Sequence, residues 1–313
     1  MDYVTYINQK LKKIIAHKSA DSPVVCFGQN IDAGSCLGGL TRGLEVKKGQ
    51  IINSTNSENT LTGMGFGLTM EGVNGIFLMK QQDFLLLGID HLANTYNYIR
   101  SHNPKASFTI VFIIVDLGYQ GLQSSLNNVG DFCSIARVDG YTITNKEDID
   151  KILDEKLIAP GFRMIGVSQR LFRTELIEPK LLFSNSEGLF KYKEGADATI
   201  VSFNLSFPYA AELRQKLKEE KIDASLFSVS AATPIDWNEI KKDVEKTKKL
   251  VVLDDSKSRN LSCDNLLTEM QKECELSEII VVKKDIDDAK NDWLKPNPDG
   301  LKVDYEKIIK KLR

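Results

Sequence analysis

The chain has 313 residues, of which 42% are apolar and 27% charged, enough to bury a sizeable core and more readily divided into two domains than one. Its formal charge of −2 supplies no global field for nucleic acid, and the basic pieces around Lys241-Lys242 and Lys248-Lys249 alternate with acids as solvated helix faces do. No basic region followed by an apolar stretch opens the chain, and the apolar run 108–115 is too short to span a bilayer, so a cytoplasmic protein without membrane contact is expected.

An amphipathic helix is predicted over residues 3–18, followed by a buried strand over 24–28. A flexible loop then runs from Gln29 past Gly34, Gly38-Gly39 and Gly43 to a short strand at Ile51-Ile52. Its exit loop is the polar run Asn53 to Asn59, which carries Glu58. Residues 60–72 fit a helix despite Gly63, Gly65 and Gly67, each costing about 1 kcal/mol relative to alanine, and close approach of another backbone or a ligand would justify that cost. A carboxylate at the lip of such a segment suits one acid held against a flat, weakly basic ring.

A strand over 75–79, a polar turn Lys80 to Asp83, a helix from about Phe84 to Arg100 and a central strand over 108–115 come next. The loop from Asp116 to Ser125 carries two glycines at a strand end, where open α/β sheets gather ligands. A helix near 147–155 and a strand over 162–167 complete the first unit. Residues 176–196 read as a linker or hairpin. Strands over 198–203, 224–229, 250–253 and 279–282 then alternate with helices over 207–220, up to about 247, and 262–274. Strands separated by helical patterns imply βαβ crossovers, so the expected fold is α/β, with parallel-rich sheets, helices on both faces, and domains at 1–185 and 186–313.

Several chemistries are absent. Cys26, Cys36, Cys133, Cys263 and Cys274 have no C-x-x-C spacing and read as reduced thiols rather than zinc ligands. His17, His91 and His102 are too few for a multi-histidine relay or metal site within this chain. There is no G-x-G-x-x-G after the first strand and no Walker loop.

Ser57-Glu58, the segment Gly63-Met64-Gly65-Phe66-Gly67, the phrase Asp83 to Asn94, and the strand and glycine loop 110–121 together resemble the pyrimidine-binding domain of thiamine-diphosphate enzymes of the transketolase family. Thr233-Pro234-Ile235-Asp236 and Thr247 to Asp255 resemble that family's C-terminal domain. The order is that of the C-terminal half of transketolase or of the beta subunit of 2-oxo-acid dehydrogenases. The resemblance implies that Glu58 hydrogen-bonds N1′ of the cofactor's aminopyrimidine, so that the 4′-nitrogen can take the thiazolium C2 proton. Read as a residue alone, Glu58 is equally an N-cap or an exposed acid. Phe84 matches the aromatic that packs on the pyrimidine, Gln81 lies where transketolases carry a second aromatic, and Met79 would line the same pocket; Phe84 and Met79 also suit a plain core.

The departures from the family are specific. Its loop histidine corresponds to Ser124 and the acidic position after the first glycine to Tyr119, which leaves Gln120, Gln123 and Ser124 either to bind substrate or to brace a loop. Arg170 and Arg173 would hold a phosphate or carboxylate, or form ordinary ion pairs. The Gly-Asp-Gly motif that grips Mg²⁺ and diphosphate is missing, so the chain supplies no metal ligand, and an alpha-like partner would carry that site in an α2β2 assembly. The expected activity is transfer of a two-carbon ketol unit between sugar-like substrates. The alternatives are a 2-oxo-acid dehydrogenase or decarboxylase beta component, and a degenerate structural partner without activity.

Overall fold

The computed structural model describes residues 1–116, 127–284 and 300–313. Helix α1 (Tyr3–Asp21) starts where the Asp2 carboxylate accepts from the Thr5 N–H at 2.8 Å, and it buries Tyr3, Ile7, Leu11, Ile14 and Ile15 along one face. Strand β1 (Val24–Gly28) pairs in parallel with β2 (Gly49–Asn53) on one side and with β3 (Asn74–Met79) on the other. Helix α2 (Glu58–Met70) connects β2 to β3. After β3 the chain passes through the short helix α3 (Tyr96–Arg100) to β4 (Ser107–Ile114), in which all eight residues are buried. Its β-branched and aromatic run is what a central parallel strand covered on both faces requires. Helix α4 (Val129–Ala136), β5 (Asp139–Ile143), α5 (Lys146–Lys156) and β6 (Gly161–Ser168) complete a parallel sheet ordered β2-β1-β3-β4-β6-β5 among the described residues.

The second sheet opens with an antiparallel hairpin, β7 (Phe183–Ser184) and β8 (Leu189–Lys193), so residues 176–196 contain the hairpin alternative rather than a plain linker. It continues through β9 (Ala198–Phe203), α6 (Phe207–Glu219), β10 (Ala224–Val229), α7 (Asn238–Thr247), β11 (Lys249–Asp254), α8 (Asp264–Glu273), β12 (Glu278–Lys283) and α9 (Tyr305–Leu312). The strand order is β12-β11-β9-β10-β8-β7, parallel from β12 to β10. The fold is thus mixed α/β with two mostly parallel sheets, as expected.

One element departs from its sequence period. The single helix predicted from Phe84 to Arg100 is instead a 3-10 segment Gln82–Gly88, a π turn His91–Thr95 and then α3. The physical cause lies at Gly88, which is pressed so closely onto α2 that a Cβ there would stand 2.6 Å from Thr62 Oγ1 and 3.4 Å from the Glu58 carbonyl oxygen. Docking against α2 overrides the local propensity. The short strand β5 and helices α4 and α9 were not legible in advance; their apolar signals are too brief to stand out from loop.

The two halves share a core. Tyr141 and Ile143 of β5 cluster with Phe190 and Tyr192 of β8, and the edge of the first sheet is continued by backbone bonds from Thr142 N–H to the Ser230 carbonyl and from Ala232 N–H to the Gly140 carbonyl, both 2.8 Å. Tyr3 Oη donates to the Ile143 carbonyl at 2.5 Å, so α1 is fastened at the same junction.

Candidate active site

In an open parallel sheet the crevice for a ligand forms at the carboxyl ends of the strands, where the strand order reverses. Here β1 leads outward to β2 and the chain then returns to β3 on the opposite side of β1, so the reversal falls between β1 and β3. A cleft of about 540 Å³ opens at that place. Its walls come from the loop after β1 (Asn30, Ser35, Leu37, Gly38), the turn after β3 (Lys80, Gln81) and the segment after β6 (Gln169, Arg170, Phe172, Arg173).

Glu58 occupies the same edge. The structure makes it the first residue of α2 rather than part of an exit loop, and the neighbouring Ser57 Oγ turns to Thr60 Oγ1 at 2.8 Å instead of capping the helix. Glu58 is only 8% exposed, and among the described residues its carboxylate has no hydrogen-bond or ion-pair partner. Its own carbonyl accepts from Thr62 Oγ1 at 2.7 Å, which fixes the first turn.

The glycine run holds this helix close to the sheet. A Cβ on Gly65 would stand 2.2 Å from the Phe108 ring, and one on Gly63 would stand 2.9 Å from the His91 ring, whereas Gly67 has nothing within 4 Å. The close approach is therefore to neighbouring side chains. His91 itself pairs with Thr95 Oγ1 through Nδ1 at 2.7 Å.

The other expected residues separate in space. Phe84 is half-buried and packs against the aromatic cluster that includes Phe66 and Phe108, one turn from the Gly88 contact with α2. Gln81 sits at the mouth of the cleft. Met79, 2% exposed at the end of β3, belongs to the same cluster and does not line the cleft, so the plain-core alternative describes it. Gln120, Gln123 and Ser124 lie outside the described residues.

Arg170 reaches the cleft but is already engaged. Its backbone N–H donates to Asp116 Oδ1 at 2.9 Å, its Nε lies 3.4 Å from Asp116 Oδ2, its Nη2 donates to the Leu205 carbonyl at 3.0 Å, and its guanidinium stands 4.8 Å from the Tyr209 ring centre. Ser168 Oγ donates to the same Asp116 carboxylate at 2.6 Å. This arginine ties the strand ends of the first sheet to those of the second. A parallel tie runs from Asn127 Nδ2 to Asp255 Oδ1 at 3.1 Å, and the Leu205 N–H donates to that oxygen at 3.0 Å. Burial pushes the Asp255 carboxyl up to about 6, with nearby Lys284 acting in the opposite sense.

Residues not anticipated from sequence also shape the site. Gln82 is fully buried, and with its amide oxygen turned toward α4 it accepts from the Asn128 and Val129 N–H groups at 3.1 and 3.3 Å, anchoring the 3-10 segment. The wall after β1 holds Cys36 and Leu37 at φ 49° and 51°, followed by Gly38 and Gly39 at 71° and 104°. A buried leucine in the left-handed region is strained, and such strain clusters at functional sites. The glycines at 34, 38, 39 and 43 were the sequence signal for this wall.

Two mostly parallel α/β sheets with a mostly buried acid at the reversal point of the first form the frame of this chain. Residues 189–274 match the family model of the transketolase C-terminal domain. The chain is 24% identical over 268 residues to the pyruvate dehydrogenase E1 component subunit beta-1, mitochondrial, of Arabidopsis thaliana, covering 82% of this chain and 73% of that protein. The corresponding beta subunit of Pisum sativum is 23% identical over 250 residues, covering 76% and 69%. Among solved structures, a split gene transketolase described as an inactive beta4 tetramer superposes with a TM-score of 0.65 at 15% identity, covering 88% of both chains. The resemblance read from the sequence stands: this chain is built like the C-terminal half of a thiamine-diphosphate-dependent transketolase or the beta subunit of a 2-oxo-acid dehydrogenase.

Proposed function

We propose that this chain is the beta-like subunit of a thiamine-diphosphate-dependent enzyme acting on a 2-oxo acid, and that it works with an alpha-like subunit carrying the diphosphate-binding domain. The observation that carries the reading is Glu58 at the start of α2, mostly buried and with no partner for its carboxylate among the described residues. The relatives are pyruvate dehydrogenase E1 beta subunits, which favours 2-oxo-acid chemistry over the ketol transfer expected from sequence. The split gene transketolase keeps ketol transfer as the second reading.

The residues fit the group. Glu58 offers a carboxylate with no competing donor among the described residues, Phe84 is a half-buried ring on the 3-10 segment that packs on α2, and Gln81 lines the cleft. When bound, the cofactor supplies a nucleophilic carbon and an electron sink for cleaving a bond next to a carbonyl. Glu58 would bond the pyrimidine N1′ edge, and Phe84 would pack on the ring without competing for its nitrogens. Met79 would act indirectly, as part of the apolar cluster against which Phe84 packs. In this reading Mg²⁺, an oxygen-seeking ion, is held with the diphosphate by the partner, and the assembly is α2β2.

The test is reconstitution with the partner subunit and measurement of C2-proton exchange on thiamine diphosphate. Glu58→Gln should leave folding intact and slow exchange by at least about 100-fold, in the range of a lost acid-base group. Unchanged exchange would reject the role. Acyl transfer to a lipoyl domain with release of CO2 separates the 2-oxo-acid reading from ketol transfer between sugars.

A further inference from the structure

The basic runs on the surface are of two kinds. Those of the second unit are neutralised: Lys241 pairs with Glu273, Lys242 with Glu239, Lys248 with Glu275 and Lys311 with Glu278. On the outer face of α1 the pattern is different. Lys12, Lys13 and Lys18 stand exposed there, with Arg42, Lys47 and Lys48 exposed on the loop that leads into β2, and among the described residues none of the six has an ion-pair partner. The two segments are bound to each other along their length. Asn8 Nδ2 donates to the Leu40 and Arg42 carbonyls, both at 3.0 Å, and the Lys12 ammonium lies 3.4 Å from where a Cβ on Gly43 would stand. Further along, Ser19 accepts the Lys47 N–H on Oγ and the Lys48 N–H on its carbonyl oxygen, both at 3.0 Å. Six cations therefore share one surface.

Over residues 12–21 and 42–48 those six cations meet only two acids, Asp21 and Glu45, a net of +4 on a chain of −2, so the remainder carries −6. Lys10, on the same helix, is already engaged by Asp150 and Asp154 of α5, which closes the patch on that side. Asp21 precedes β1 and Lys48 precedes β2, which sets the patch at the amino ends of these strands, whereas the cleft opens at the carboxyl ends. The patch is thus no part of the candidate active site. Like charges held this close repel one another, and a counter-charge from outside relieves them. Neither segment carries a Phe, Tyr or Trp on which a base could stack. The acidity of the remaining surface opposes an anion that extends past the patch, as a membrane or a long nucleic acid does. We infer that this face docks a short acidic segment of a partner protein, a run of Asp and Glu side chains that fits within the patch. Attraction of this kind speeds encounter and weakens with salt.

The full chain is titrated into a fluorescently labelled octaglutamate peptide, followed by anisotropy, and in parallel into labelled octathymidylate and onto phosphatidylserine vesicles. At low ionic strength the peptide should bind most tightly of the three, and ~0.5 M salt should release it. Lys12→Glu, Lys13→Glu, Lys47→Glu and Lys48→Glu together should weaken the peptide at least about tenfold. Thermal unfolding should not move, because none of the four side chains has an ion pair to lose. Lys18 is kept, since it stands in the last turn of α1, where its charge favours the helix. Lys105→Glu, Lys221→Glu, Lys302→Glu and Lys307→Glu change the net charge equally at exposed positions elsewhere, and should leave peptide binding within about twofold. No binding of the peptide at low salt, tighter binding of the oligonucleotide or the vesicles, or equal weakening by the second set of substitutions would overturn the inference.

Discussion

Gly65 and Gly67 lie on the same helix two residues apart, and alanine at each should shift stability in opposite directions. Both substitutions gain the same helical propensity, about 1 kcal/mol. At Gly67 nothing lies within 4 Å of the new Cβ, so the gain should be realised in full. At Gly65 the Cβ would stand 2.2, 2.3 and 2.7 Å from three atoms of the Phe108 ring. That ring cannot retreat, because it is fully buried, packed near-parallel with Phe27 and Phe162 at centroid distances of 6.3 and 5.1 Å and edge-on to Phe66 at 5.0 Å. Overpacking of this kind costs about 1–3 kcal/mol, and here the helix must lift from β4 to relieve it. Gly65→Ala is therefore expected to lose about 2 kcal/mol net and Gly67→Ala to gain about 1. Gly63→Ala should fall between them, since its Cβ meets the rim of the His91 ring at 2.9 Å, a side chain only partly buried. Urea denaturation resolves the pair: a separation of about 3 kcal/mol moves the midpoints more than about 1 M apart at an unchanged slope. Should the two midpoints coincide, or reverse, α2 is not held by contact with Phe108 and the account of how Glu58 is positioned fails.

Arg170→Ala would strip the guanidinium from Asp116, whose side chain is 1% exposed, and should destabilise the protein by about 3 kcal/mol; adding Asp116→Asn should recover most of that loss in a double-mutant cycle, and simple additivity would refute the coupling. Asp255 gives a pH signature. Its carboxyl is raised from 3.8 to about 6 in the folded protein, so the unfolded chain gives up the proton first as pH rises through that window. Ionisation therefore imposes a penalty that grows between the two values, reaches about 3 kcal/mol above the upper one, and vanishes below the lower one where both states hold the proton. Asp255→Asn, which keeps an oxygen for Asn127 Nδ2 and the Leu205 N–H, should stabilise the protein at pH 8 and be neutral at pH 4. Denaturant midpoints of the two proteins across that range check it, and a pH-independent difference would sink it.

The sequence by itself determined the alternation of strands and helices and the parallel sheets, because hydrophobic period is a local signal, and it drew attention to Glu58 through the polar run before a glycine-rich helix. It also exposed the missing Gly-Asp-Gly motif. Contacts between residues far apart in the chain decided the rest. Gly88 pressed on Thr62 turned a predicted helix into 3-10 and π turns, and Phe108 rather than a ligand explains Gly65. Arg170 and Arg173, read together in the sequence as anion holders or ordinary ion pairs, part company: Arg170 is bound to Asp116, while Arg173 stays exposed at the cleft. Which charges are neutralised depends on what each side chain meets across the fold, and that distance is fixed by how the strand ends converge.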